Sequence, residues 1–486
     1  MNTRAVKLAA LLGLINTILR LEAYASANRL TLEEYLGQVR SGNEAVQSAE
    51  SASEGALLRS RESRLLFSPQ LTGSGQALSD ARPQLNSFAP QRTEARGVQL
   101  GIQQQFSFGA QAKLNYQFSH VRLDVLQPVF FLTTDYYDAI PSLDLSIPLL
   151  RNFGASEVRS QQSLLEASAL ASHFGERFRA RMTLLEAELG YWRLAVAREV
   201  VQIQSKTLER TLFLRDWAKR RVGLNLGDRS DLLQASAAYR FRELELQNAQ
   251  DEERAATQNF NSLRGKDPSV SVGTLASITE ANLDIPASWK NLDAPPRSRE
   301  DLLASEQAQR LSAEQASQTL ERNRPNLELF GQAQLNGRAN TASEAISTGW
   351  SLDKRTASVG IRMVSTLNFG AKSDTQTGAE KERTAAGLAF DRKRFEQKQE
   401  FLDLRSKLSE AQSRLALAKE LEKLQDEKLT HERDRLQRGR STTFQLIQFE
   451  TDYSTAQLAR LRSQFEVLRL VAQLNTFSEP STGARP

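Results

Sequence analysis

Two spacings of apolar residues alternate along this chain, and the alternation occurs twice. From Leu71 to about Pro148 the period is two. Val98, Leu100 and Ile102 alternate with Gln99, Gly101 and Gln103; Leu114, Tyr116 and Phe118 alternate with Lys113, Asn115 and Gln117; Leu143, Leu145 and Ile147 alternate with Asp144 and Ser146. Such a period gives a strand one apolar and one polar face. Phe108-Gly109-Ala110 lies between two of these stretches and predicts a tight turn. From about Glu157 to Val222 the spacing changes to three and four. Leu185, Leu189, Trp192, Val196, Val200 and Ile203 form one stripe, there is no proline, and the only glycines are Gly175 and Gly190. One helix of roughly 100 Å is predicted, at 1.5 Å per residue. Gly223 and Gly227 break it, Ser230 is its candidate successor's N-cap, and a return helix runs from Asp231 to about Leu263.

The second half repeats this plan. A helical stretch ends at Pro69 in one half and at Pro325 in the other, because proline and the residue before it disfavour the helix. Pro-Gln-Leu (69–71) and Arg-Pro-Asn-Leu (324–327) then open the β stretches. Strands are expected at Leu327–Leu335 and Ala357–Leu367, with a polar loop at 337–355 between them. A long helix follows at about Lys372–Gln437, broken at Gly439, with a return helix at Thr443–Thr476. The stretch from Pro69 to Gly227 exceeds that from Pro325 to Gly439 by 44 residues. The excess falls in the β region, mostly around Gly109, so four strands are expected in the first half and two in the second. Leu123–Tyr137, rich in Phe, Tyr, Val and Leu, reads either as a buried loop or as an outer loop or aromatic girdle of a barrel.

Composition agrees with long helices. Charged residues make up 25% and aromatics only 7%, and mean hydropathy is −0.47, a profile of extended helices with many neighbours. The net charge of +5 is small for 486 residues, and no basic cluster is interleaved with aromatics, so nucleic acid is not an expected partner. Arg4, Lys7, the apolar run Leu8–Leu19 and Ala25-Ser26-Ala27 predict a signal peptide over 1–27. With no cysteine there is no disulfide, thiolate site or cysteine-borne lipid anchor. The remaining ranges are expected as 28–66, N-terminal helices; 67–150, strands with an extra hairpin; 151–264, first helical hairpin; 265–297, a connecting segment lying against the helices; 298–324, the second-repeat helix; 325–370, its strands; 371–478, second helical hairpin; and 479–486, a tail.

Each long helix is charged all round and carries apolar stripes that one partner does not cover, so it needs neighbours on two sides. Few strands per chain cannot close a barrel without edges. Both facts predict a ring of several copies. The chain resembles the TolC-like outer-membrane efflux family over nearly all of its length. The resemblance is carried by Pro-Leu-Leu-Arg-Asn-Phe-Gly (148–154), Gly-x-x-Ser-Asp-Leu-Leu-Gln-Ala (227–235) and Gly-Arg-Ser-Thr-Thr (439–443) with Glu450 and Ala456. It implies a mainly α fold with a membrane β-barrel: a long α-helical barrel, or tunnel, plus a β-barrel shared across a homotrimer in outer-membrane lipid. It also implies a periplasmic adaptor and an inner-membrane pump as partners, in efflux or type I secretion. Val222, Gly223 and Leu224, with Gly439, Arg440 and Ser441, match the adaptor-docking tips. Asp231 matches an acidic position that holds the periplasmic entrance closed, with Arg440 as its candidate partner. Gln445 and Gln448 stand where a well-known member has an acidic pair. Six strands per chain would give a trimer 18 strands instead of the family's usual 12, unless the hairpin lies outside the wall.

Other classes fit less well. His120, His173 and His431 are far apart in sequence and lack metal-ligand spacing; no phosphate loop or nucleophile constellation is present, and no enzyme, cofactor or metal site is expected. The rival readings are a periplasmic adaptor, which would carry a single hairpin without duplication, and a structural coiled-coil protein of the envelope, which has no use for amphipathic strands.

Overall fold

The computed structural model describes residues 29–83, 89–125 and 133–478. The expected signal peptide at 1–27, the tail at 479–486 and the centre of Leu123–Tyr137 lie outside these residues. The elements in order are β1 (Arg29–Leu30), α1 (Leu32–Gly42), α2 (Glu44–Arg59), β2 (Gln70–Asp80), β3 (Arg92–Gln105), β4 (Gln111–Asp124) and β5 (Asp135–Pro148). Then come α3 (Ser156–Gly223), α4 (Arg229–Leu263), β6 (Thr274–Leu275), α5 (Glu300–Arg322), β7 (Asn326–Leu335), β8 (Gly337–Ala339) and α6 (Ala342–Thr348). β9 (Arg355–Val364), α7 (Phe369–Gln437) and α8 (Thr443–Asn475) complete the chain. Among the described residues no helix is long and apolar enough to cross a membrane.

Contacts divide the chain into two compact units. One holds the described residues up to Ser53, Phe174–Leu303 and those from Lys393; the other holds Glu54–His173 and Ala304–Arg392. The division cuts across the duplicated halves, because each long helix contributes to both units.

The second unit contains one antiparallel sheet in the order β2-β3-β4-β5-β7-β9, with β8 paired to β5. Four long strands come from the first half and two from the second. The register lines up residues by type. Leu71, Ile102, Leu114, Leu143, Ala333 and Ala357 form one cross-strand row, and Ile147, Leu329 and Ile361 another, on the same face. The opposite face carries rows such as Gln70, Gln103, Lys113, Asp144, Gln332 and Ser358. Among the described residues nothing covers the apolar face: Leu71, Leu100, Leu114, Leu145, Val359 and Ile361 are all exposed. Aromatics gather at one end of it, where Tyr116 stacks on Trp350 (5.9 Å) and Phe118 on Tyr137 (6.0 Å). His120 stacks on the same Tyr137 and approaches Asp135 Oδ1 at 2.5 Å. At the other end Gly109 adopts φ 99°, closing the β3–β4 turn through Phe106 N–H donating to Ala110 O at 2.8 Å. The polar loop expected at 337–355 instead holds β8 and α6. Arg338 pairs with Asp138 of β5 at 2.7 Å, so this segment folds back over the sheet end.

The first unit is helical. An aromatic cluster joins α1, α3 and α4: Tyr35 stacks on Phe260 (4.1 Å) and lies 5.6 Å from Tyr191. Tyr191 Oη donates to Leu30 O (2.8 Å) and accepts from Ala276 N–H (3.1 Å), tying the β1–β6 strand pair to α3. In the segment after α4, Ile278, Ile285 and Trp289 are buried in two hydrophobic clusters. Beside this core, burial pushes the Glu188 carboxyl of α3 up to about 7, partly offset by the Trp192 indole next to it. Where α5 begins, burial opposes the Asp301 carboxylate. Hydrogen bonds from Arg299 (2.9 Å) and Lys393 outweigh that effect and hold it at about 2. Apolar stripes remain uncovered at helical spacing, notably Leu417, Leu421 and Leu424 on α7 and Leu233, Phe241 and Leu244 on α4.

Candidate functional site

The candidate site is the pair of turns that reverse the long helices, and backbone hydrogen bonds show that the two turns are one motif used twice. After α3, Asn225 N–H donates to Val222 O (3.1 Å) and Leu226 N–H donates to Arg221 O (2.9 Å). After α7, Gly439 N–H donates to Leu436 O (3.0 Å) and Arg440 N–H to Arg435 O (2.9 Å). Each is a Schellman closure around a left-handed residue, Asn225 at φ 55° and Gly439 at φ 70°. The likeness extends to side chains. Arg221 Nη2 donates to Leu226 O at 2.8 Å, and Arg435 Nη2 donates to Arg440 O at 3.1 Å. The return helices are capped three residues later. The Asp228 carboxylate accepts from Ser230 N–H (3.0 Å), and the Thr442 hydroxyl accepts from Gln445 N–H (3.3 Å).

This register corrects the alignment expected from the glycines. Asn225 matches Gly439, Leu226 matches Arg440, Gly227 matches Ser441 and Asp228 matches Thr442. Gly223 is the last residue of α3 and does not break it; Val222-Gly223-Leu224 corresponds to Leu436-Gln437-Arg438. The N-cap is Asp228 in place of Ser230, which lies inside α4. Asn225 takes the left-handed position that glycine holds in the second turn, because asparagine tolerates that conformation. Asp231 and Gln445 become equivalent third residues of the two return helices, and Gln234 and Gln448 follow them in step.

The structure places the remaining site residues on the outside of these turns. Val222 is half-buried, whereas Gly223, Leu224, Gly439, Arg440, Gln445 and Gln448 are exposed. Gln448 Nε2 donates to Asp452 Oδ1 (3.1 Å), one turn along its own helix. Asp231 is half-buried, and no ion pair joins it to Arg440 within the chain. Next to these turns Leu214, Leu429, Leu436 and Leu446 form a cluster against which Trp217, Ile447, Phe449 and Tyr453 pack.

The charged group that does organise this end is Glu450. Its carboxylate is buried and accepts from Arg210 of α3 (2.7 Å) and Arg433 of α7 (3.0 Å), joining three helices. Arg210 also donates to Thr207 Oγ1 (3.1 Å) and lies 5.5 Å from the Tyr453 ring. One turn nearer the second tip, buried Glu432 accepts from Ser441 Oγ and from Arg435 (3.2 Å). Lys428 pairs with Asp452 (3.1 Å), and Arg242 of α4 donates to Thr451 Oγ1 (2.7 Å). Arg210, Arg433 and Glu432 were not distinguishable in the sequence from ordinary helix-surface charges. Among the described residues no cluster of three or more His, Asp or Glu could hold a metal ion.

No family model and no curated protein matches the chain. Solved structures do. The outer membrane protein VceC from Vibrio cholerae superposes with a TM-score of 0.65 at 14% identity, over 92% of this chain and 95% of that one. The open state of the MtrE outer membrane channel of Neisseria gonorrhoeae gives 0.65 at 14% identity, over 92% and 88%. The outer-membrane channel OprN gives 0.63 at 17% identity, over 92% and 89%. At these identities the likeness speaks for the fold, and it spans nearly the whole of each chain. The protein therefore has the duplicated, mainly α fold of the outer-membrane channel proteins, with long helical hairpins and one antiparallel sheet.

Proposed function

We propose that this protein is an outer-membrane channel-tunnel that works as a homotrimer. In this reading it forms the exit duct of a tripartite efflux or type I secretion system, receiving its cargo through a periplasmic adaptor and an inner-membrane pump. One observation carries the proposal: the same chain leaves both a sheet face and helical stripes apolar and uncovered. A sheet with an apolar face, a polar face and two free edges is unstable in water and complete only when closed in lipid. The uncovered stripes of α4 and α7 need further helices, which two more copies supply. Transport by such a duct requires no chemistry from the wall, in keeping with the absence of any nucleophile or phosphate-binding motif in the sequence.

Within this reading the paired turns are the periplasmic end. Leu224 and Leu226 are exposed at the first turn, and Arg440 and Phe444 at the second, so each tip offers an apolar contact, the second beside a cation. Asp231, Gln445 and Gln448 then line the entrance. The experiment is fractionation of cells expressing the chain, followed by conductance of the purified protein in planar bilayers. Recovery only in the soluble periplasmic fraction would sink the proposal. Leu226→Asp combined with Arg440→Glu is expected to abolish adaptor co-purification while leaving the trimer intact. Asp231→Ala is expected to raise single-channel conductance if the carboxylate latches the entrance, and unchanged conductance would leave it no gating role.

A further inference from the structure

The extra length of the first half lies in β3 and β4, and we infer that this hairpin is part of the membrane wall, so that three copies close an eighteen-stranded barrel. The inference rests on the trimeric outer-membrane reading above. Its first support is topology. Among the described residues β2 finds its ladder only on β3, and β5 takes β4 on one side and β7, with β8, on the other. A hairpin lying outside the wall would leave β2 against β5; here β3 and β4, 14 residues each, stand between them. The second support is exposure. On the hairpin Val98, Leu100, Ile102 and Leu114 are 54%, 58%, 50% and 53% exposed, at least as open as Leu143 and Leu145 of β5 at 40% and 44%. One unbroken apolar face crosses all six strands. A hairpin turned toward water or folded into the lumen has no reason to carry it.

The third support is closure. The path ends on β2 (11 residues) and β9 (10 residues), matched in length and each exposed at all but one residue. The six strands alternate in direction, so β9 of one copy meets β2 of the next antiparallel. Val359, Ile361 and Met363 then continue the apolar face into Leu71 of the neighbour. The partner of each free edge is thus a second copy of this chain. Barrel width grows about linearly with strand number, so six strands per copy give a barrel roughly one and a half times as wide as four would. Eighteen strands fall in the range that leaves an open aqueous lumen. The lumen face is mostly amide and hydroxyl, and on it Arg362 pairs with Glu328 (3.0 Å). The barrel is then no sieve, and the proposed entrance at the paired turns is left to restrict cargo.

The natural absence of cysteine makes the test direct. Single-cysteine variants Leu100→Cys, Leu114→Cys and Val359→Cys in the full chain, reconstituted in lipid and carrying a fluorophore, are expected to be quenched equally by a lipid-borne quencher. Gln99→Cys and Gln117→Cys are expected to respond to a water-soluble one. Quenching of positions 100 and 114 from water alone, with 359 quenched from lipid, would overturn the inference while leaving the outer-membrane reading intact. Water-phase quenching at all three would overturn both. Electron cryomicroscopy of the purified trimer should count eighteen strands; a trimer with twelve and a displaced hairpin would refute the wall assignment even if the variants failed to fold.

Discussion

The two turns share a backbone and differ in what backs them. Asn225 and Gly439 occupy the same left-handed position, Arg221 and Arg435 make the same bond to the turn, and Asp228 and Thr442 cap the same helix start. Eleven residues beyond the turn residue the repeats part company. The second has Glu450, buried between two arginines; the first has Ser236, whose hydroxyl donates to Leu232 O at 2.7 Å in its own helix. The same divergence appears higher up. Glu188 in α3 and Leu402 in α7 stand equally far before Asn225 and Gly439, and only the first is a carboxyl pressed into an apolar core. Duplication thus preserved geometry, while buried charge was distributed unequally between the copies.

Four measurements can break or sharpen this contrast. Glu450→Ala strands Arg210 and Arg433 and is expected to cost about 3 kcal/mol. Ser236→Ala should stay within about 0.5 kcal/mol. Urea unfolding followed by helical circular dichroism compares them, and equal losses would remove the asymmetry. Next is pH. A carboxyl raised from 4.5 to about 7 by burial holds its proton more tightly in the folded state. Stability is therefore highest below the unfolded value, falls as pH rises toward 7, and stays low above it. The fall is expected to reach about 2 kcal/mol. Glu188→Gln should flatten the profile of thermal midpoint against pH between 5 and 8; an unchanged slope would place the titration elsewhere.

The smaller effects test likeness. Asp228→Ala and Thr442→Ala should each cost about 1 kcal/mol, and by the same amount, because both remove one cap from one helix start. A difference of several-fold in thermal stability would show that the return helices are held unequally. At the left-handed position, Gly439→Ala adds a Cβ that meets nothing within 4 Å, so its cost of about 1 kcal/mol is conformational alone. Asn225→Gly should change stability by only a few tenths of a kcal/mol. Matching proteolysis rates at the two turns in these variants would support a common closure.

The strands and long helices were legible because each is defined by its own spacing: the period of two from Val98 to Ile147, and the uninterrupted run from Ser156 to Gly223. Pro69 and Pro325 marked the changes for a local steric reason. What stayed hidden depended on partners far along the chain. Glu450 resembles any helix-surface glutamate until Arg210, 240 residues away, is placed beside it. α6 escaped because seven residues with only Ala345 buried leave no period to read. The first turn lies two residues beyond Gly223, because Asn225 and not a glycine adopts the left-handed conformation. Asp228, Ser230 and Asp231 all carry acceptors able to cap the helix, and only the backbone geometry selects Asp228.

A turn closed by main-chain bonds and one left-handed residue asks almost nothing of the side chains that point away from it. Leu224, Leu226, Arg440 and Phe444 can change without disturbing the reversal of either helix. Where the proposed docking of a partner protein takes place, the fold therefore leaves the sequence free to vary. Lineages sharing this backbone can exchange one set of contacts for another by surface substitution alone, with no intermediate that must refold.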